Sequence, residues 1–362
     1  MKRTARLVAL VGTLALVAAA CGEAPEEETA GEDGGTATAE ATDFQACMVT
    51  DSGGIDDRSF NATAWLGLQN AESDLGISAK YVESNVETDF APNINQLVAD
   101  DCGIIVTVGF LLGDATAEAA EANAEEQFAI VDFAYDEPID NIKPLIFDTA
   151  QAAFLAGYVA AGSTQTGTVA TFGGINIPTV SIFMDGFADG IAYHNEQKGT
   201  DVQLIGWDKE AQNGSFTGDF TNQANGQQLA NTFIQQGADI IMPVAGPVGL
   251  GAAAAAQEAG DVKIIGVDSD WYESAAQYSA IVLTSVLKRI DNAVFDATEL
   301  AVNEEYSAEP YVGTLENEGV GLAPFHDFDA EVSDELKSEI EDITGQIVDG
   351  SLTVESPSSP ST

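Results

Sequence analysis

The stretch GIIVTVGFLLGDATAEAAEANAEEQFAIVDF (103–133) decides the fold. It begins and ends on short apolar runs and sets an Ala/Glu-rich segment of helical length between them, the strand–helix–strand unit from which parallel sheets are built. Working outward, ACMVT (46–50) and AKYVES (79–84) precede it and KPLIFD (143–148) follows it. After a helical stretch from Ala150 to Ala161 the pattern begins again, with TVATFGG (168–174), DVQLIGWD (201–208), ADIIMPVA (238–245) and VKIIGVDSD (262–270). The fold class expected is α/β, with two doubly wound, Rossmann-like lobes joined by a hinge. Residues 44–148 plus about 284–312 should form the first lobe, and residues 149–283 plus about 313–350 the second. The chain would then cross between lobes near Asp148 to Ala150, Leu283 to Lys288 and Val312 to Leu315.

The chain has 362 residues, enough for about two globular domains. Its 59 acids against 12 Lys and Arg give a formal net charge of −47. Such a surface repels phosphate backbones and anionic headgroups, so nucleic acid is excluded as a partner and membrane docking through a basic patch as a mechanism. The same self-repulsion predicts a fold that gains stability as salt screens it, with ordinary acidic solubility as the alternative.

The N-terminus has the parts of an export signal. Lys2, Arg3 and Arg6 precede the apolar run Leu7 to Val17, and the small residues Ala18, Ala19 and Ala20 precede Cys21. Residues 1–20 are expected to be removed and Cys21 to be lipidated, although Ala18 stands where lipoprotein signals usually carry Leu. An ordinary secretory signal is the alternative. Gly22 to Asp43 hold eight acids, no Lys or Arg and no apolar side chain larger than Ala, so residues 21–43 read as a self-repelling tether. The Ser/Pro-rich stretch 351–362 is expected to be a disordered tail.

Setting Cys21 aside leaves Cys47 and Cys102, each beside an apolar strand. In an oxidising compartment a disulfide between them is expected, with two buried thiols as the alternative. The two histidines, His194 and His326, are far apart and no CxxC occurs, so no metal site is expected.

Ligands of open parallel sheets bind beyond the carboxyl ends of the strands. The residues there are polar and distinctive: Asp51 to Asn61 after the first run, Asp132 and Phe133 after the fourth, Asp208 to Phe216, Ala245 to Gly249, and Asp268 to Trp271. Ser59 or Asp57 is placed to cap a helix beginning near Asn61.

These motifs, DSGGIDDRSFNATAWLGL, VGFLLGDAT, FDTAQAAFLAGYVAA, FGGINIPTV with DGFADG, IGVDSDW and LTSVLKRID, closely resemble in sequence and order the basic membrane protein family of bacterial lipoproteins. The resemblance runs from about Cys47 to Phe325. It implies a type I periplasmic-binding-protein fold, a purine nucleoside as ligand, ABC permease and ATPase subunits as partners, and no cofactor. It also implies a monomer held to the outer face of the cell membrane through Cys21. By motif position it places the base between Phe60 and Phe216, polar base contacts on Asp51 and Asn61, the sugar loop at Gly246, and the ribose on Asp268 and Lys288. Lys288 is one of few cations, and burying it demands a partner, either Asp268 or the ligand.

Enzyme motifs are missing: the sequence has no G-x-S-x-G, no phosphate-binding G-x-x-x-x-G-K-[ST] and no G-x-G-x-x-G. A nucleoside hydrolase resting on carboxylates, and a two-lobed sensor working without a transporter, are the rival functions.

Overall fold

Val, Ile and Ala dominate the apolar runs, and the central runs are buried on both faces, as strands covered by helices on two sides must be, whereas the edge runs 78–82 and 203–205 are partly exposed. A computed structural model describes residues 43–360. The expected signal peptide, Cys21 and nearly all of the tether lie outside the described residues.

The first sheet holds β1 (Gln45–Val49), β2 (Ser78–Val82), β3 (Ile104–Val108), β4 (Phe128–Val131) and β5 (Ile142–Phe147). They are linked through α1 (Phe60–Leu75), α2 (Phe90–Ala99) and α3 (Gly113–Ala122). The chain then passes through α4 (Thr149–Ser163), β6 (Thr168–Gly173), α5 (Pro178–Lys198) and β7 (Gln203–Ile205). A small hairpin of β8 (Trp207–Asp208) and β9 (Asn213–Gly214) follows. Next come α6 (Gln223–Gln235), β10 (Ile240–Val244), α7 (Pro247–Ala259), β11 (Lys263–Asp268), the single turn α8 (Trp271–Ser274) and β12 (Val282–Lys288). The last elements are α9 (Ile290–Val302), β13 (Tyr311–Gly313), β14 (Val320–Leu322) and α10 (Asp334–Val348).

The strand order is β13-β5-β4-β3-β1-β2 in one sheet and β14-β12-β11-β10-β6-β7 in the other. Every pairing in both is parallel except β12 with β14. Apart from the sixth strand, the two sheets repeat one order, so the duplication hinted at in the sequence is topological. In each, the order reverses at the first strand: β1 lies between β2 and β3, and β6 between β7 and β10. That reversal opens a crevice beyond the strand ends.

The crossings differ from expectation at one place. Pairing along β11 keeps β12 in the second sheet as far as Leu287, and Lys288 pairs with Val320 there. The return to the first lobe therefore begins at Arg289, where α9 packs against α1, rather than at residue 284. The other two crossings fall at Asp148 and between Gly313 and Val320.

Helix α4 is apolar nearly all round and buried along most of its length, because α5 lies on it. Gly190 permits that approach: a Cβ there would sit 1.9 Å from the Phe154 carbonyl oxygen. Cys47 in β1 and Cys102 just ahead of β3 form a disulfide, with Cα atoms 6.0 Å apart.

Residues 351–360 are not frayed. Ser356 donates to Asp185 at 2.6 Å, Ser359 donates to Asp148 at 2.9 Å, and Ser358 and Ser181 share a hydrogen bond of 2.9 Å. Asp185 is fully buried, so its carboxylate needs donors, and the tail hydroxyl joins the Trp207 indole N–H in supplying them.

Candidate functional site between the two sheets

A cleft with about 620 Å³ of empty space, counting its open side, lies beyond the carboxyl ends of both sheets, where open parallel sheets bind their ligands. It receives Asp51, Phe60 and Asn61 from the β1–α1 segment, Gly109 and Phe110 after β3, and Asp132 after β4. From the other side come Val180 and Phe183 of α5, Phe220, Gly246, Asp268 and Lys288.

The β1–α1 loop is built around Asp57. Its buried carboxylate accepts the backbone N–H groups of Ser59, Asn61 and Ala62 at 2.7–2.9 Å, so Asp57 and not Ser59 supplies the side-chain cap of α1. Asn61, 1% exposed, donates its amide to Asp51 at 2.8 Å and to Asp57 at 3.1 Å. Two carboxylates on one side fix the amide's orientation, and Asn61 Oδ1 is left without a hydrogen-bond partner among the described residues. A buried free acceptor beside the cleft calls for a donor on whatever enters.

The polar end gathers around Lys288, which is 2% exposed. Its Nζ donates to Asp132 at 2.5 Å and lies 5.0 Å from the Phe60 ring centroid, 5.3 Å from Phe147 and 5.8 Å from Phe183. The sequence offered Asp268 or the ligand as its partner; the contact made is to Asp132. Asp268 accepts instead from the Ser59 hydroxyl at 2.7 Å. Asp132 (φ 68°) and Asp268 (φ 67°) both take the left-handed backbone conformation, uncommon outside glycine and concentrated at functional sites. They occupy corresponding places, after β4 and at the end of β11.

Burial pushes the Asp268 carboxyl up to about 6, against the pull of Lys288 and the Ser59 hydrogen bond. Burial also raises Asp51, with Asp132 and Asp268 adding repulsion, and raises Asp132 despite Lys288 beside it. Several carboxyls are thus held where new hydrogen-bond donors would stabilise their charge.

Phe216 is not at the cleft. Residues 215 and 217 hydrogen-bond to Gly173, and the Phe216 ring covers that glycine, where an added Cβ would come within 2.5 Å of it. Its edge contact with Trp207, centroids 6.0 Å apart, completes a half-buried place against the core of the second lobe. The loop reaches the cleft four residues later through Phe220. Asp219 holds it there by accepting from the backbone of Thr221 and Asn222. Of the residues expected from sequence, Asp51, Phe60, Asn61, Gly246, Asp268 and Lys288 come together, and Phe216 does not. Gly246 (φ 50°) precedes α7 with only Phe220 near its Cβ position, leaving bare backbone toward the cleft.

Phe220 and Phe183 are absent from the sequence-based site, and Asp132 and Ser59 enter it only as strand-end and capping residues. Asp132 had a signal, its position directly after a strand. Phe183 had none, because only the packing of α5 decides which helix face meets the cleft.

Two Rossmann-like lobes with a cleft at their switch points are an architecture shared with solute-binding proteins of ABC transporters. The family described as "ABC transporter substrate-binding protein PnrA-like" (Bmp) matches residues 44–356, and the chain belongs to it. A CD4+ T-cell-stimulating antigen of Listeria innocua is 32% identical, over 98% of each chain. The ABC transporter nucleoside-binding protein BmpA of Lactococcus lactis is 30% identical, over 89% of this chain and 92% of its own. A solute-binding protein of an ABC transporter system from Aeropyrum pernix K1 superposes with a TM-score of 0.77 at 25% identity, over 87% of this chain and 94% of that one. Among the described residues no helix is long and apolar enough to cross a membrane.

Proposed function

We propose that the protein is a lipid-anchored, extracytoplasmic receptor that captures a nucleoside, of the purine class, between its lobes and delivers it to the permease and ATPase of an ABC importer. The observation carrying this reading is the pairing, in one cleft, of aromatic rings from both lobes with a carboxylate–lysine end. Phe60 faces it from one lobe and Phe183 and Phe220 from the other, beside Asp268 and Lys288. A flat base suits the rings, since stacking on an aromatic face is worth about 1–3 kcal/mol. Ribose hydroxyls suit the carboxylates and the ammonium. The free Asn61 acceptor suits a base N–H. The nucleoside-binding relative points the same way. Phe220 takes the stacking role expected of Phe216.

Ligand touching both lobes makes its full set of contacts only when they are closed, so binding shifts the population toward closure. The membrane attachment rests on Cys21 following a basic and apolar leader. The experiment is a calorimetric series with inosine, guanosine, adenosine, cytidine and ribose, with the recovered ligand analysed afterward. Saturable binding of purine nucleosides, returned intact, is expected. Binding of ribose alone, or release of free base, overturns the reading.

A further inference from the structure

The two lobes are joined beside the cleft by direct protein–protein hydrogen bonds. With Asp57 gathering the backbone of the β1–α1 loop, Arg58 is held in the left-handed conformation (φ 59°), and the next residue, Ser59, is turned toward the other lobe. Ser59 is 1% exposed. Its hydroxyl lies 2.7 Å from Asp268 Oδ2 and 3.2 Å from the Val267 carbonyl. A hydroxyl has one proton to give, and the shorter contact, to a carboxylate, takes it. On either side of this bond, Arg58 Nη1 donates to Gln277 Oε1 at 2.7 Å, and the Ser269 hydroxyl donates to the Arg58 carbonyl at 3.0 Å. Residues 58 and 59 belong to the segment joining β1 to α1, whereas Asp268, Ser269 and Gln277 follow or end β11. Every one of these bonds therefore spans the two lobes.

We propose that Ser59 is a positioning residue for the Asp268 carboxylate and that, together with Arg58, it forms a clasp biasing the ligand-free protein toward the closed arrangement. The positioning half rests on the reading of the cleft as the ligand site; the clasp half does not. One oxygen of Asp268 is engaged by Ser59, which aims the other at the cleft and fixes the carboxylate's rotation before a ligand hydroxyl arrives. Binding then requires less ordering at the moment of contact. The charged groups facing Asp268 are Lys288 at the end of β12, Asp132 after β4, and Asp51 and Asp57 in the β1–α1 loop. Ser59 is the neutral donor among them, and its loss raises the Asp268 carboxyl further.

The test uses the mature chain with one spin label on each lobe, comparing the parent with Ser59→Ala, Ser59→Thr and Gln277→Ala. Without ligand, Ser59→Ala and Gln277→Ala should shift the interlobe distance distribution toward the open form, and Ser59→Thr, keeping the hydroxyl, should restore it. Purine nucleoside affinity should fall about tenfold in Ser59→Ala, the loss of one hydrogen bond to a charged group. The pH at which affinity is half lost should move upward in Ser59→Ala and not in Gln277→Ala. Because Gln277 is exposed to solvent at its contact, its variant tests the clasp without disturbing the core. A ligand-free distance distribution identical in parent, Ser59→Ala and Gln277→Ala overturns the clasp, whatever the ligand proves to be. An unchanged pH midpoint in Ser59→Ala overturns the positioning role. If the parent binds no nucleoside yet Ser59→Ala still opens, the clasp stands and the nucleoside reading fails separately.

Discussion

Lys288 and Asp132 meet at 2.5 Å from opposite lobes, the ammonium at the end of β12 and the carboxylate just after β4. Each is nearly inaccessible to water, so each is the other's main compensation for lost hydration. Removing one partner of a buried pair costs about 3–5 kcal/mol because the remaining charge is stranded. Lys288→Ala should therefore lower the chemical-denaturation free energy by that order at neutral pH. The penalty should shrink in acid, where Asp132 and Asp268 become neutral. An equal loss at pH 4.5 and pH 7.5 would show that Lys288 stabilises by packing alone.

The Asp268 carboxyl, raised by burial from 3.8 to about 6, links both stability and binding to pH. The ligand-free fold holds this proton more tightly than the unfolded chain does. Its contribution is therefore fully present below about 4 and is lost as pH rises through about 6. Ligand hydroxyls favour the ionised form, so binding has the opposite dependence. Nucleoside affinity should weaken as pH falls below about 6, and Asp268→Asn should flatten that profile. Denaturant unfolding between pH 3.5 and 7.5 checks the stability sign, and calorimetric titration between pH 4.5 and 7.5 the binding sign.

The two candidate stacking residues of the 216–220 loop have separable roles. Phe220→Ala should weaken nucleoside binding by about 1–3 kcal/mol with a small effect on melting. Phe216→Ala should instead destabilise the fold by about 1.5–3 kcal/mol, the transfer free energy of a buried Phe side chain, because it empties the space over Gly173 and beside Trp207. Binding measured on folded Phe216→Ala should be close to that of the parent. The reverse pattern would return Phe216 to the cleft.

The Cys47–Cys102 disulfide closes a 55-residue separation within the first lobe. In the chain-entropy account such a crosslink stabilises by about 4 kcal/mol, with 2–4 kcal/mol typical in practice. Reduction, or the double Cys→Ala substitution, should lower the unfolding free energy by that order while leaving nucleoside affinity of the folded protein unchanged. Alkylation of the unreduced chain that labels both thiols would remove the crosslink from the account.

Much of this architecture could be read from residues, because parallel strands buried on both faces leave unbroken Val/Ile runs and their helices leave Ala-rich spacers. The site was legible where it follows a strand directly: Asp51, Gly246, Asp268 and Lys288 each stand at or just after a strand end, where backbone geometry alone aims them at the cleft. Phe60 and Asn61 open the helix that follows. The rest depended on tertiary choices. Phe216 sits in a glycine-rich loop, and the partner its ring covers, Gly173, is 43 residues earlier in the chain, out of reach of local sequence. The Lys288 partner was equally hidden, since Asp132 lies 156 residues earlier and in the other lobe. The order of the tail is hidden from composition because its serines meet Asp185 and Asp148, acceptors whose need for donors is invisible in the local sequence.

The most direct measurement is a crystal structure of the mature protein grown with a saturating purine nucleoside. The account predicts the base between Phe60 and the Phe183–Phe220 side, an N–H of the base on Asn61 Oδ1, and the ribose hydroxyls on Asp268 and Lys288. An empty cleft under saturation, or a nucleoside seated away from these residues, would contradict it.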